Sequence, residues 1–211
     1  MFAELTSRPE NGVDMDVLVW RLDRPMLCAS TAVFGGGLGP RDWVFNAQVP
    51  SDYHRVDIDQ HVSEIVTHLN LSGPGVGMLT AARVGRCQQS SDENVDVEVT
   101  VGISHPTWAA SDETFESAPI SPGTINIVAF VPVRLDEAAL INVVATATEA
   151  KSQALFDADI PATGTASDAI TVLCLLEGDI ERFGGPRSLW GSRVARGVHH
   201  AVLAGVKGWA A

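Results

Sequence analysis

The stretch NVDVEVTVGIS, residues 94–104, alternates valine with acidic and hydroxyl side chains along most of its length. Successive side chains of a strand point to opposite faces of its sheet, so this period of two predicts a β-strand with one apolar face and one polar face. Such a strand needs a hydrophobic layer on one side only. The pattern therefore favours a sheet that is covered by packed helices.

Further strand candidates lie on both sides of this stretch. Short apolar runs occupy residues 76–82 (VGMLTAA), 124–131 (TINIVAFV) and 169–176 (AITVLCLL). Residues 16–33 contain two apolar stretches that are separated by Asp23, Arg24 and Pro25. Because proline and aspartate are typical turn residues, this spacing predicts a β-hairpin with its turn at these three positions.

Three segments have the pattern of helices. Residues 57–71 repeat apolar side chains at three- and four-residue spacing, residues 135–156 are rich in alanine, and residues 188–209 form a third candidate that contains several glycines. The order of elements is then roughly ββ-α-β-β-β-α-β-α. It predicts an α+β fold, a mixed and largely antiparallel sheet with helices packed outside, with α/β as the alternative.

The length of 211 residues fits one domain, and we expect residues 1–211 to form it, with residues 1–15 as a flexible N-terminal segment. Residues 105–121 are polar and contain two prolines, which suits either an active-site loop or an ordinary surface loop. The sequence does not determine the oligomeric state, and a homo-oligomer is one possibility.

The charge balance argues against two classes of partner. The chain has 14 Lys and Arg against 26 Asp and Glu, a formal net charge of −12, which disfavours nucleic acid and anionic membrane surfaces. No apolar run is long enough to cross a membrane. The first residues lack a basic region followed by an apolar run, so we expect no signal peptide. Three cysteines without CxxC spacing make a reducing cytoplasm the expected location.

The first segment that could carry chemistry is GTINI, residues 123–127. Thr124 and Asn126 are two residues apart, so on a strand both side chains project from one face. Thr124 could act as a nucleophile or a donor, and Asn126 could bind an amide or stabilise an oxyanion. Alternatively, Thr124 ends a loop and Asn126 satisfies a buried backbone group.

The second segment is TATEAK, residues 146–151. Glu149 lies among alanines, an apolar setting that would suit a general base, and Lys151 could hold a carboxylate in place or donate a proton. The alternative is a solvent-exposed helix face, which fits Lys151 better than Glu149.

The third segment is ATGTASDA, residues 162–169. On an extended loop, Thr163, Thr165 and Ser167 could surround a polar group while Asp168 orients a hydroxyl or a water molecule. The alternative is a Ser/Thr-rich turn in which Asp168 bonds to its own backbone.

Common catalytic and metal-binding signatures are missing. The sequence has no GxSxG, no GxxxxGK[ST] and no HExxH. His61 and His68 share one side of the first helix but have no cysteine or carboxylate at zinc-site spacing, so we predict no metal site. His54 and His105 lie in predicted loops and are the better candidates for touching a ligand.

Taken in order, residues 123–127, 148–151 and 162–169 resemble the adenosylcobinamide amidohydrolase family, CbiZ. Upstream, the similarity includes Gly35-Gly36-Gly37, Asn46, Val49-Pro50 and Tyr53, together with residues 76–82 and 99–104. The resemblance spans about residues 16–207. Two positions depart from the family pattern: Ala47 stands beside Asn46 where a polar residue or histidine is expected, and Ser167 replaces a common threonine.

The resemblance implies hydrolysis of the amide that links the aminopropanol arm to the corrin ring of adenosylcobinamide. The products would be adenosylcobyric acid and 1-aminopropan-2-ol. It implies a small-molecule corrinoid substrate and no cofactor, because the cobalt belongs to the substrate. A corrinoid-binding protein without catalysis is the alternative from another class, and an amidohydrolase for a different amide is a third possibility.

The candidate residues fall into two groups. For catalysis we expect Glu149 or Asp168 as the base, Thr165 with Asn126 as polarising groups, Lys151 beside them, and a covalent route through Thr124 as the rival. The neighbourhoods of residues 123, 149 and 165 should then line one cleft wide enough for a corrin ring. The expected substrate-binding residues are Gly36, Gly37, Asn46, Tyr53, Thr80, Thr163 and Gly164.

Overall fold

The computed structural model describes residues 1–112 and 123–209. Within these residues the strands are β1 (Glu4–Glu10), β2 (Val13–Ser30), β3 (Gly37–Gln48), β4 (Gly75–Thr80), β5 (Gln88–Asp92), β6 (Val95–Val101), β7 (Ile125–Val131), β8 (Arg134–Leu135), β9 (Ala169–Cys174) and β10 (Ile180–Glu181). The α-helices are α1 (Ile58–His68), α2 (Glu137–Asp157) and α3 (Leu189–Trp209), and a 3₁₀ turn covers Val84–Arg86. No helix in the described ranges is long and apolar enough to cross a membrane.

Eight strands form the main sheet, in the order β4-β3-β2-β9-β7-β6-β5, with β1 paired to β2. The pairs β3–β4 and β7–β9 are parallel, and the other pairs of this sheet are antiparallel. A small parallel pair, β8–β10, stands apart. The predicted α+β fold, with its mixed and largely antiparallel sheet, is confirmed.

The predicted hairpin within residues 16–33 is wrong. Residues 13–30 form one continuous strand, β2, whose pairing with β3 shifts register between Arg21 and Met26. Asp23, Arg24 and Pro25 are exposed in this irregularity, where a proline N–H is not needed by the sheet. A β-bulge therefore accommodates the residues that looked like a turn, and it bends the strand.

The bent β2 lets the sheet fold over on itself. A buried cluster joins Leu18 and Trp20 of β2, with Val44 of β3, to Val128 of β7 and Leu173 of β9. Polar contacts cross the same interface, because Trp20 Nε1 donates to Glu98 of β6. The two halves of the sheet thus face each other across a common core.

The helices cover the outer faces of these halves. On one side, Val62 and Ile65 of α1 pack on Val17, Val19 and Phe45. On the other side, α2 and α3 pack on a larger cluster formed by β6, β7 and β9. Both faces of each half are therefore buried, one toward the common core and the other beneath a helix.

Part of the segment 1–15, which we expected to be flexible, forms strands. Residues 4–10 are β1, which pairs with β2 from Glu4–Val19 to Glu10–Val13. Asn11 and Gly12 make the connection with φ of 50° and 81°, the positive values that two-residue hairpin turns require. This polar strand is held by main-chain pairing and by buried side-chain contacts of Arg8 and Glu10.

Candidate functional site

A cavity of about 200 Å³ lies where β4 ends and β7 begins. Four of the residues expected at the site line it, namely Tyr53, Thr80, Thr124 and Asn126, and Ser167 also contributes. The rest of its lining is largely apolar: Ala32, Val33, Val49, Ile58, Val62, Gly77, Met78, Leu79 and Ala169. An apolar cavity with a few convergent polar groups is typical of a small-molecule site.

A buried chain of hydrogen bonds supports the polar wall of this cavity. The Thr124 hydroxyl lies 2.9 Å from the Ser167 carbonyl and 3.1 Å from Asn126 Oδ1, both acceptors for its single hydrogen. Asn126 Nδ2 donates to Asn46 Oδ1 at 2.9 Å, and Asn46 Nδ2 donates to Thr100 Oγ1 at 2.8 Å. The four residues whose side chains form this network, Asn46, Thr100, Thr124 and Asn126, are each at most 2% exposed. The network therefore fixes both carboxamides in one orientation.

Strand geometry explains this arrangement. Thr124 and Asn126 are two residues apart at the start of β7 and therefore share a face, as the sequence predicted. Asn126 is directly opposite Thr100 in the β6–β7 register, and Asn46 reaches the same point from β3 in the facing half. Ala47, the departure noted beside Asn46, points to the opposite face and packs beneath α1.

Asp168 sits behind the cavity and accepts four hydrogen bonds. Its Oδ1 accepts from the backbone N–H of Ile125 at 2.9 Å and from the Thr165 hydroxyl. Its Oδ2 accepts from the backbone N–H of Thr165 at 3.0 Å and from Lys151 Nζ, with which it forms an ion pair. We call Lys151, Thr165 and Asp168 the brace, because they fix the start of β7.

Thr163 and Gly164 belong to the loop around this brace. A Cβ atom at Gly164 would overlap both Lys151 Nζ and Asp168 Oδ2, so a side chain there would displace the ion pair. The Thr163 hydroxyl accepts from the backbone N–H of Ala109 at 2.8 Å, and Thr107 and Gly164 form an isolated β-bridge. Of the loop predicted over residues 105–121, Thr107 and Ala109 thus contact this segment, and residues 113–121 lie outside the described residues.

Glu149 is not brought to the cavity. It lies on the exposed side of α2, between residues that point inward such as Ala147 and Lys151. The expected apolar setting for Glu149 is therefore wrong, because flanking alanines in sequence are not neighbours of its side chain in a helix. Of the three neighbourhoods expected to line one cleft, only that of residue 123 lines the cavity, through Thr124 and Asn126. The loop with Thr165 lies behind the cavity wall, and Glu149 is not part of the site.

Gly36 directly precedes β3 and Gly37 is its first residue, and both are absent from the cavity lining. Arg41 donates to the carbonyl of Gly35 at 2.9 Å and to that of Gly36 at 3.1 Å. A Cβ atom at Gly35 would overlap the Gly75 carbonyl, and one at Gly36 would overlap that of Ala32. The glycines permit this close approach, and the same segment leads to Ala32 and Val33, which do line the cavity.

Sequence reasoning overlooked the residues behind Tyr53. Its hydroxyl is 2.7 Å from Nδ1 of His61, and Nε2 of His61 is 2.9 Å from Oε2 of Glu10. Glu10 also forms an ion pair with Arg8. His61 was set aside for lack of a partner nearby in sequence, whereas the favoured His54 and His105 are exposed and absent from the cavity lining.

Burial and interactions with neighbouring charged groups shift the pKa values of Glu10 and Tyr53 in opposite directions. Burial tends to raise the pKa of Glu10, yet hydrogen bonds from Arg8 and His61 hold it below its usual value. Burial raises the pKa of the Tyr53 hydroxyl, and Glu10 and Asp57 add to that effect against Arg55. Tyr53 therefore keeps its proton at neutral pH.

The size of the cavity limits what can enter it. At about 200 Å³ it lies below the ~300–1,000 Å³ of pockets that enclose drug-sized ligands, so the expected hollow for a whole corrin ring is not provided here. A short amide-bearing arm matches it better. A wider cavity of about 770 Å³, lined by Arg83, Arg86 and Trp209, contains none of the candidate residues. Within the described ranges, no three His, Cys, Asp or Glu side chains are grouped to hold a metal ion.

Comparison with known proteins identifies the family. The family model described as adenosylcobinamide amidohydrolase matches residues 3–211. Two proteins named adenosylcobinamide amidohydrolase are similar: one from Methanosarcina mazei is 26% identical, covering 82% of this chain and 86% of its own length. The other, from Halobacterium salinarum, is 31% identical, covering 81% and 76%.

A solved structure shares the fold. The crystal structure of the PH0078 protein from Pyrococcus horikoshii OT3 superposes with a TM-score of 0.53 at 10% identity, covering 98% of this chain and 84% of that one. At this identity the likeness concerns the fold alone. With the family model matching nearly all of its length, the chain belongs to the adenosylcobinamide amidohydrolase family, CbiZ.

Proposed function

We propose that this protein hydrolyses the amide between the aminopropanol arm and the corrin ring of adenosylcobinamide. The products are adenosylcobyric acid and 1-aminopropan-2-ol. One observation carries the proposal: the cavity places hydroxyl and carboxamide groups on an otherwise apolar wall and has room for an arm. The macrocycle then stays outside while its arm enters.

Thr80 is the best placed donor for the oxyanion that forms during amide hydrolysis. Its hydroxyl oxygen accepts from the backbone N–H of Ala82 at 3.0 Å, and within the described part of the chain its own O–H has no acceptor. Thr80 is 1% exposed and lines the cavity. A buried donor without an acceptor can stabilise developing negative charge without first breaking another hydrogen bond.

Thr124 and Asn126 bind the scissile amide in this proposal. Because the Thr124 hydrogen is directed to the Ser167 carbonyl or to Asn126 Oδ1, the hydroxyl faces no base that would make it a nucleophile. Attack by a water molecule is therefore favoured over the covalent route. Asn46 acts one step behind, since it holds the carboxamide of Asn126.

The brace positions these groups and does not transfer protons. Four donors occupy Asp168, which leaves its carboxylate without a free lone pair for a substrate or water. Its bond to the backbone N–H of Ile125 fixes the residue between Thr124 and Asn126. Lys151, Thr165 and Asp168 are thus positioning residues. Glu149, which is exposed on α2, has no role in the proposed reaction.

We also propose that the protein holds no cofactor of its own, and that the cobalt enters only as part of the substrate. Activity should then survive prolonged dialysis against EDTA. A cytoplasmic location stays a prediction from the cysteine pattern, and a homo-oligomer stays one possibility.

The decisive experiment is incubation of the purified protein with adenosylcobinamide, followed by mass spectrometry of both products. We expect 1-aminopropan-2-ol and adenosylcobyric acid in equal amounts. Replacing Thr80 by Val should lower kcat about 100-fold, as for loss of an oxyanion donor. The matched control is Thr148→Val, at an exposed threonine of α2. Tight binding of the corrinoid without product would support the non-catalytic binding protein instead.

A further inference from the structure

We propose that Tyr53, His61 and Glu10 form a proton relay, in which the Tyr53 hydroxyl is the acid–base group of the cavity. This inference rests on the proposed function, because it supplies the proton transfers that amide hydrolysis needs. The relay runs from the cavity, through helix α1, to strand β1. Tyr53 lines the cavity, and both other members are buried behind it.

The geometry fixes which nitrogen of His61 carries the hydrogen. An ionised carboxylate can only accept, so the 2.9 Å contact to Glu10 Oε2 requires the hydrogen on Nε2. In the neutral ring Nδ1 is then an acceptor, and it receives the hydrogen of the Tyr53 hydroxyl over 2.7 Å. The two rings are stacked with centroids 5.4 Å apart. This order of carboxylate, imidazole and hydroxyl is that of a catalytic triad, with tyrosine in the position of the nucleophilic serine.

Arg8 fixes the Glu10 end of the relay. Arg8 and Glu10 both come from β1, where they are 3% and 6% exposed. Arg8 Nη2 also donates to the carbonyl of Gln48 at 3.1 Å, at the end of β3 and shortly before Tyr53. The same arginine therefore orients Glu10 and anchors the segment that carries the tyrosine. The other charged groups near the relay are exposed or paired among themselves: Arg55, Asp57, Glu64 and His68.

Burying His61 and Glu10 costs free energy, and a role in proton transfer explains this cost better than a purely structural role does. A histidine and a carboxylate that are almost fully buried lose hydration, and such groups are seldom retained for stability alone. Here the buried pair ends on the hydroxyl of a tyrosine that lines the cavity. The raised pKa of Tyr53 keeps that hydroxyl protonated at neutral pH, which suits a shuttle and argues against a phenolate nucleophile.

The proton balance is complete with water and the amide alone. As water attacks the amide carbon, the Tyr53 oxygen takes one water proton while its own proton moves to Nδ1 of His61. The imidazolium is stabilised by Glu10, and the tetrahedral oxyanion by Thr80. When the C–N bond breaks, the amine nitrogen takes the proton from Tyr53, and His61 returns its proton to the tyrosine. The net change is amide plus water to carboxylic acid plus amine.

The test uses Tyr53→Phe, which removes only a hydroxyl at a half-buried position, and His61→Gln. The matched control is His68→Gln, at the exposed C-terminal end of α1. We expect each of the first two to lower kcat about 100-fold with little change in KM, because general acid–base groups contribute ~10²–10⁴-fold. The double variant should lose no more than either single one, because members of one relay act as a unit. His68→Gln should behave as wild type.

A solvent isotope effect separates a relay from a structural role. In wild type, kcat should fall in deuterium oxide, and this sensitivity should shrink in Tyr53→Phe even when its thermal stability is unchanged. The relay is overturned if Tyr53→Phe keeps more than a third of the wild-type kcat, or if the losses from the two single variants multiply in the double. Failure of the proposed function looks different, since wild type itself would then release no aminopropanol.

Discussion

Single residues of the brace determine whether β7 begins in the right place. Asp168 is the common acceptor for the backbone N–H of Ile125 and for Lys151, and both charged side chains are almost fully buried. Gly164 leaves room for the ion pair, because any side chain there would occupy the same space. The sequence singled out Lys151 and Asp168 as catalytic candidates and Gly164 as a substrate-binding candidate, because spacing reveals neither burial nor how many donors a carboxylate already has.

Breaking this ion pair should expose its coupling energy. Lys151→Met leaves a buried carboxylate without its cation, and we expect it to lower the free energy of unfolding by about 3 kcal/mol. Asp168→Asn should cost a similar amount, and the double variant should cost less than the sum by at least ~1 kcal/mol, because the two side chains are in contact. Urea denaturation of the four proteins measures this directly.

The matched control is the half-exposed pair Arg196–Asp92 at the protein surface. The same cycle there should give a coupling of less than about 1 kcal/mol, because solvent screens exposed ion pairs. Additive losses at Lys151 and Asp168 would mean that the brace does not act as a unit.

At the scale of elements, periodic segments were predicted well and edge segments poorly. The α1 pattern predicted residues 57–71 and the observed helix is Ile58–His68, and the alternation of β6 predicted its apolar valine face. The expectation that the other face of β6 needs no covering layer is wrong, because Glu98 and Thr100 are each 2% exposed and bond across the common core. Strand β3 was missed, since GLGPRDW at its start has low strand propensity and is held by its neighbours β2 and β4. The Asn11–Gly12 turn of β1 was a usable signal, because both positions need positive φ.

The contact between β1 and α1 should depend on pH through Glu10. Because its pKa is lowered in the folded protein, ionised Glu10 stabilises the fold above its unfolded value near 4.5, and this contribution is lost as the pH falls through the folded pKa. We expect the free energy of unfolding to drop on acidification below about pH 4.5 more steeply in wild type than in Glu10→Gln. Urea titrations at several pH values measure both slopes, and equal slopes would contradict the assignment.

At the scale of the whole molecule, the site arises where the two halves of the folded sheet meet. Asn46 comes from one half, Thr100 and Asn126 from the other, and their hydrogen bonds cross the core. The family resemblance placed Asn46, Tyr53 and Thr80 at the site, yet no local pattern could show that His61 and Glu10 stand behind Tyr53. That relation depends on a contact between β1 and α1, in which Glu10 and His61 meet although they are 51 residues apart in the chain.

The net charge of −12 belongs to the molecule as a whole and should act on substrate capture. A negative protein attracts a cationic corrinoid over distances that salt screens, so raising NaCl from about 20 to about 200 mM should lower kcat/KM several-fold. The kcat should stay nearly constant, because the chemistry takes place in a cavity whose lining is largely apolar and away from bulk ions. Steady-state kinetics at fixed pH test this, with sucrose of equal osmolality as the control for solvent effects. A kcat/KM that is unchanged or rises with salt would show that the acidic surface plays no part in drawing the corrinoid to the cavity.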